Sequence, residues 1–309
     1  MIPKIKTRRF EESNYSSIFI NGKTLRVPLN KDKDITELRF PEFLDISMGS
    51  FCSGNCKNEC YASAKKNGIK YTNLAQKINS FFGSMTENQR PYQVACGGEG
   101  DSMENEECWE AMDAFVQLGI TPNITTHGLF INDKNIDNIK KYGIGGVAIS
   151  MHDHLETAWD KAIRKAHEAK IRLNAHYVFS DASSIEKLEM FYQKYILEEN
   201  LLEYMVLLPR MNVGYAALSP KKVDYKALTV FTDKHYKDGK LAFGANAANW
   251  LYKNDKKYKI QMHPPEIFSK YLLLNDRMEM FNNSFERKPV PFTHEVGCEL
   301  GHSRTIFPE

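Results

Sequence analysis

Cysteine is scarce in this sequence, with six among 309 residues. Long apolar runs are missing as well. No stretch approaches the roughly 18 consecutive apolar residues of a membrane-spanning helix, so no helical span is expected. Neither sign of charge is in excess: 41 Lys and Arg stand against 39 Asp and Glu, a formal net charge of +2. The lysines are spread rather than massed, which gives no strong nucleic-acid signal and no reason to expect a membrane surface as partner. The opening MIPKIKTRRFEESNYSS is basic, but the apolar stretch of a secretory leader does not follow it. A cytoplasmic protein is the expectation. In that reducing compartment clustered cysteines serve as metal ligands or catalytic groups more often than as disulfides.

The sequence is 42% hydrophobic and 12% aromatic, enough for one large α/β domain or two modest ones. Repeats and low-complexity tracts are lacking, but secondary structure recurs in a rhythm. Strand-like runs fall at FLDISMGS (43–50), YQVACGG (92–98), ITPNITTHG (120–128), GGVAISMH (145–152), IRLNAHYVFS (171–180), EYMVLLPRM (203–211) and KLAFGANAANWL (240–251). Helical patterns separate them at 73–85, 105–119, 135–143, 155–170, 183–200 and 223–237. Gly119 and Gly143 stand as helix stops, and a serine stands at the start of the 183–200 helix as its cap. Alternation of this length predicts βα units and a parallel sheet. Six units in succession point to a complete or partial barrel, with a doubly wound open sheet as the competitor that periodicity cannot separate. The expected organisation is an N-terminal extension over 1–42, a barrel over 43–250 and a C-terminal extension over 251–309 packed on the barrel.

Half of the cysteines sit in nine residues. FCSGNCKNECYASAKKNG (51–68) carries Cys52, Cys56 and Cys60 at an even spacing of four, directly after the first barrel strand. In parallel α/β architectures ligands bind at the carboxyl ends of the strands. The same rim is expected to carry CGGEGD with Gly97, Gly98, Glu99 and Asp101, then THG, SMHDH and PRMNVG. Zinc sites favour paired C-x2-C knuckles, and no second pair is present. Three thiolates on a four-iron cluster leave one iron open to a ligand. Iron–sulfur, zinc and no metal all remain open on spacing alone. Cys96, Cys108 and Cys298 read as small buried hydrophobes.

The order of strand, three-cysteine loop, strand and Gly-Gly-Glu resembles the radical S-adenosylmethionine superfamily. The spacing here is C-x3-C-x3-C rather than the usual C-x3-C-x2-C, with Lys57, Asn58 and Glu59 in the second gap. TTHG (125–128) resembles the family's Thr-Asn-Gly turn, with His127 where asparagine is commoner. AISMHDH (148–154), RLNAHYV (172–178) and VLLPRMNVG (206–214) resemble its fourth, fifth and sixth strands. The resemblance covers roughly residues 43–250 and implies a partial (β/α)6 barrel of TIM type. It implies a [4Fe-4S] cluster on Cys52, Cys56 and Cys60. It also implies S-adenosyl-L-methionine bound by Gly97, Gly98, Glu99, Ser150, Asn174 and Arg210. The implied chemistry is reductive cleavage to a 5′-deoxyadenosyl radical that takes hydrogen from a small molecule, nucleotide or peptide. An electron donor such as flavodoxin or ferredoxin is implied as partner.

Bland readings stand beside these. His127, His152 and His154, and Asn246 with Asn249, face the expected rim as ordinary hydrogen-bonding residues or as substrate contacts. Cys298, in VGCELGH near the C-terminus, is a packing residue, a structural remnant or a hydrogen-atom donor to a substrate radical. A non-catalytic zinc- or iron–sulfur-binding interaction protein is the alternative class. It requires neither Gly-Gly-Glu nor polar groups at the other strand ends.

Overall fold

The computed structural model describes residues 5–33, 35, 42–56, 59–254, 273–274 and 280–281. The chain opens with an antiparallel meander of β1 (Lys6–Phe10), β2 (Tyr15–Ile20) and β3 (Lys23–Pro28). Seven parallel strands follow: β4 (Phe43–Ser47), β5 (Gln93–Gly97), β6 (Thr121–Thr126), β7 (Val147–Ser150), β8 (Leu173–Phe179), β9 (Tyr204–Pro209) and β10 (Leu241–Phe243). Between them run α1 (Leu74–Gly83), α2 (Cys108–Gln117), α3 (Asp133–Lys141), α4 (Glu156–Glu168), α5 (Ala182–Tyr192) and α6 (Tyr225–His235). The helix α7 (Ala245–Asn254) follows β10. Two short strands, β11 (Leu273–Leu274) and β12 (Met280–Phe281), extend the sheet beyond β4.

Strand order settles what periodicity left open. The parallel strands lie in the sheet in chain order, from β4 through to β10. A doubly wound sheet reverses direction partway and covers both faces with helices. Here each crossover continues the same way, so all helices fall on one face and the sheet curls into a partial TIM-like barrel.

Side-chain alternation marks the two faces. Ile124, Val147, Ile149, Leu173, Ala175, Met205 and Leu207 join the helices in one apolar core. In α4 the core-facing residues Trp159, Ala162, Ile163 and Ala166 recur at the i, i+3, i+4, i+7 spacing of one helix face. Cys96 and Cys108 are buried in this core, as small apolar residues would be, and burial raises both thiol pKa values. The opposite strand face is polar. It carries Gln93, Asn123, Thr125, Ser150, Asn174 and His176, with Ser47 beside Gly97, Ala148 beside Asn174 and Ser150 beside His176 in register. This face lines the barrel interior.

Two local expectations change. The 183–200 helix is capped by Asp181, whose Oδ1 accepts the Ser184 N–H at 3.0 Å. Ser184 instead donates its hydroxyl to the Asp181 carbonyl at 2.7 Å. The strand-like 240–251 run is three residues of β10 followed by α7, which buries Ala247, Ala248 and Leu251 on one side. A two-residue alternation and a helical stripe overlap in so short an alanine-rich run, and packing against β9 decides between them. Cys298 lies outside the described residues, as does most of the expected C-terminal extension.

The meander lies across the amino-terminal ends of the barrel strands. Arg8 donates to the Glu87 and Arg90 carbonyls at 3.0 and 2.5 Å. Ser17 Oγ meets the Tyr92 hydroxyl at 2.8 Å, and Phe19 stacks on the Tyr92 ring with centroids 5.2 Å apart. Gln93 reaches the Gly22 carbonyl and Arg172 the Asn21 carbonyl. A buried ion pair, Arg26 with Glu42 at 2.5 Å, ties β3 to the entry of β4. Among the described residues no helix is long and apolar enough to cross a membrane.

Candidate active site

The cysteine loop leaves β4 at Ser47 and folds back on itself. Ser50 N–H donates to the Ile69 carbonyl and Cys52 N–H to the Lys65 carbonyl, at 2.8 and 2.9 Å. Cys60 N–H donates to the Cys56 carbonyl at 3.0 Å, one helical turn that brings those two residues to the same side. Ala64 N–H donates to Cys60 Sγ at 3.4 Å. All three cysteines are half-buried.

Four other strand-end loops grip this one. After β5, Gly100 passes so close that a Cβ there would lie 2.3 Å from the Phe51 carbonyl oxygen. Only glycine allows that approach. Glu104 Oε1 accepts from Ser53 N–H at 2.7 Å and from Ser53 Oγ at 3.0 Å. After β6, the His127 ring packs over Gly54. After β7, His154 Nε2 meets the Gly54 carbonyl at 2.8 Å. After β9, Ala216 N–H donates to the Cys60 carbonyl at 3.3 Å, and a Cβ on Gly214 would lie 2.1 Å from the Tyr61 carbonyl oxygen.

The donor set suits a cationic centre. Burial raises the Cys56 thiol pKa to about 12, helped by the nearby Cys52, Cys60 and Glu59. Deprotonating thiols in such a group requires a positive charge among them, which a metal or an iron–sulfur cluster provides. Three thiols on a loop gripped from four sides fit a cluster with one open iron.

The other expected residues spread around the rim. Glu99 Oε2 accepts the Tyr71 hydroxyl at 2.7 Å and Ser47 Oγ at 3.4 Å. Gly98 adopts φ +87°, and its carbonyl accepts the Tyr61 hydroxyl at 3.1 Å. Gly97 packs so that a Cβ would sit 3.0 Å from Thr125 Cβ. Ser150 ends β7 half-buried, beside His176. Asn174, at the start of β8 rather than on the rim, presents a buried Oδ1 that no donor among the described residues reaches. Such an atom on a barrel wall is where a ligand donor belongs. Arg210 leaves β9 and donates Nη2 to the Ala216 and Ser219 carbonyls at 3.4 and 3.0 Å, bracing the turn that grips Cys60. Asn246 is exposed and donates to Met211 Sδ, whereas Asn249 Oδ1 is buried without a hydrogen-bond partner among the described residues.

Sequence reasoning missed the acidic support under the cysteine loop. A 3-10 turn over Ser102–Glu104 sets Asp101 and Glu104 on one side. Asp101 Oδ2 accepts from Thr126 Oγ1 at 2.7 Å and from His127 N–H at 2.9 Å. Glu104 Oε1 meets His127 Nε2 at 3.0 Å. Burial raises the Asp101 pKa despite His127 and Thr126. For Glu104 burial also opposes ionisation, but hydrogen bonds from His127 and Ser53 outweigh it and lower its pKa. Burial likewise disfavours a charged His127, yet hydrogen bonds to Cys52 and Glu104 and the charge of Asp101 carry its pKa up to about 10. The only sequence signal was Asp and Glu three residues apart after a glycine turn.

No protein-family model matches the sequence, and no curated protein matches it. Solved structures do. The crystal structure of Streptococcus suis SuiB bound to S-adenosylmethionine matches with a TM-score of 0.61 and 16% identity, covering 80% of this chain and 61% of that one. SuiB bound to its precursor peptide SuiA gives 0.61 and 17%, covering 81% and 61%. The chain thus spans about three fifths of the length of SuiB. Its fold is that of SuiB, a protein solved with S-adenosylmethionine bound.

Proposed function

We propose that this chain is a radical S-adenosylmethionine enzyme acting in the cytoplasm, with its catalytic unit over 43–250. Cys52, Cys56 and Cys60 hold a [4Fe-4S] cluster, and S-adenosyl-L-methionine lies across the strand ends. The observation that carries this reading is the three-cysteine loop gripped at the carboxyl rim by the loops after β5, β6, β7 and β9. A structural metal staple has no need of four separate supports, whereas a reacting centre must be held to within fractions of an ångström.

A cluster held by Cys52, Cys56 and Cys60 would supply the one electron needed for reductive cleavage of the sulfonium's carbon–sulfur bond, to methionine and a 5′-deoxyadenosyl radical. Glu99, oriented by Tyr71 and Ser47, offers a carboxylate to the methionine amino group. Gly97 and Gly98 keep side chains out of the approach. Asn174 Oδ1 and Ser150 offer polar contacts to the ribose and carboxylate side. Arg210 acts on the cofactor side by holding the Gly214–Leu218 turn. The curled sheet keeps water away from the radical's path. The electron comes from a flavodoxin or ferredoxin, and the substrate is a small molecule, nucleotide or peptide. The SuiB–SuiA structure makes peptides the first class to assay.

The test is anaerobic reconstitution with iron and sulfide, then S-adenosylmethionine and dithionite, with chromatography for 5′-deoxyadenosine. Wild type should produce it and Cys56→Ala should not. Glu99→Ala should keep its iron and lose S-adenosylmethionine binding at least roughly tenfold, in line with the loss of a charge-assisted contact. A zinc-stapled interaction protein is the rival reading, favoured by one observation. Ligand atoms of Cys52, Glu104 and His127 lie within 4.8 Å of one another. That reading predicts stoichiometric zinc, no four-iron spectrum and no 5′-deoxyadenosine.

A further inference from the structure

We propose that His127 donates a hydrogen bond to the Cys52 thiolate and thereby sets how readily the bound cluster accepts an electron. The inference rests on the function proposed above and assigns this chain's own residues a part in it.

The His127 ring is 5% exposed and fixed from three sides. Its Nδ1 accepts the Leu129 N–H at 3.3 Å. Nε2 carries a proton in the neutral ring whose Nδ1 accepts there, and equally in the charged ring that the raised pKa favours. Nε2 faces Glu104 Oε1 at 3.0 Å, Asp101 Oδ2 at 3.3 Å and the Cys52 sulfur, with the Glu104, His127 and Cys52 atoms inside a 4.8 Å group. Both carboxylate oxygens are already well supplied. Glu104 Oε1 takes two donors from Ser53, and Asp101 Oδ2 takes Thr126 Oγ1 and the His127 N–H. The imidazole proton is therefore shared between Glu104 and the Cys52 sulfur, which is itself a side-chain hydrogen-bond partner of the ring.

Gly54 supports the same contact. A Cβ at that position would lie 2.7 Å from His127 Cδ2 and 3.4 Å from Cys52 Sγ. The missing side chain is what lets the ring close on the sulfur.

A donor to a ligating sulfur stabilises the more negative, reduced state of a cluster and raises its potential. The ring also pairs with two buried carboxylates, Asp101 and Glu104, and offsets a negative charge that would make reduction harder. Both effects have one sign, so losing His127 makes the cluster harder to reduce. His127 is on this account a positioning and tuning residue for the electron step.

The test compares wild type, His127→Leu and His127→Gln after anaerobic reconstitution. Iron and sulfide per chain are measured first, then a redox titration follows the electron paramagnetic resonance signal of the reduced cluster. His127→Leu should keep its iron but hold roughly tenfold less reduced cluster at a fixed potential, equivalent to about 59 mV for one electron. His127→Gln, which keeps an N–H donor, should recover most of the difference. A Leu variant with an intact cluster and an unchanged titration overturns the inference and leaves the proposed function standing. If the Leu variant does not assemble, wild type labelled with 15N-histidine decides by pulsed resonance. One weak nitrogen coupling supports the hydrogen bond, while no coupling, or the strong coupling of a direct ligand, overturns it. Wild type that takes up zinc and no four-iron cluster overturns both the inference and the enzyme reading.

Discussion

His152, at the exit of β7, shows how a single rim residue reports on its surroundings. Its carbonyl accepts the Trp159 indole N–H at 3.0 Å, and its ring lies 5.9 Å from the His154 ring. Burial, then the neighbouring His154 and His127, lower its pKa to about 4. In the unfolded chain the imidazole returns to about 6.5. Between pH 6.5 and 4 the unfolded chain thus binds a proton that the folded chain refuses, so acidification through this window favours unfolding. A tenfold change in a protonation equilibrium is worth about 1.36 kcal/mol, so the contribution is at most about 3 kcal/mol for a half-buried ring. The cluster-free protein should show a urea midpoint that falls as pH drops from 6.5 to 4. His152→Gln should flatten that slope. A wild-type midpoint that stays level across the window would show that the ring titrates normally.

At the scale of elements, close approach between loops decides more than the loops' own composition. Gly100 and Gly83 make the contrast. Gly100 has the Phe51 and Gly49 carbonyl oxygens at 2.3 and 2.7 Å from where a Cβ would go, whereas at Gly83, at the end of α1, a Cβ would meet nothing within 4 Å beyond its own helix among the described residues. Gly100→Ala must push backbone against backbone, and overpacking of that kind costs roughly 1–3 kcal/mol. It should lower both the urea midpoint and the iron held after reconstitution. Gly83→Ala should be neutral or stabilise by about 0.4–1 kcal/mol through the unfolded chain. Equal iron content in the two variants would mean that the β5 loop does not support the cysteine loop. The same distinction explains what could be read in advance. The βα rhythm and the strand-end placement of Cys52, Glu99 and Ser150 are local patterns, and they were legible, whereas Asn174 lies at the start of β8. The Glu104–Ser53–His127 group joins residues from three loops and leaves no periodic trace. The β1–β3 meander pairs locally through the Asn21-Gly22 turn, and only its docking on Tyr92 and Arg172 depends on residues far along the chain.

The molecule as a whole is polarised along its strands. At the amino-terminal end the meander closes the barrel through Arg8, Ser17 and the Arg26–Glu42 pair. At the carboxyl end the cysteine loop is the common partner of the loops after β5, β6, β7 and β9. The floor is held by protein contacts alone, while the rim converges on a cysteine loop in which burial, then the neighbouring Cys52 and Cys60, oppose deprotonation of Cys56. Binding free energy of a metal centre therefore stabilises the rim far more than the floor. Anaerobic chelation of iron should speed amide exchange by roughly tenfold or more, the signature of local opening. The affected segments should be 48–71, 99–105, 127–131, 152–156 and 212–219. Exchange in Lys6–Pro28 and in the centres of β5 to β9 should stay as it was. A uniform rise across floor and rim would instead make the cluster part of the global folding unit. No rise anywhere would mean that the four supporting loops hold the cysteines in place before the cluster arrives.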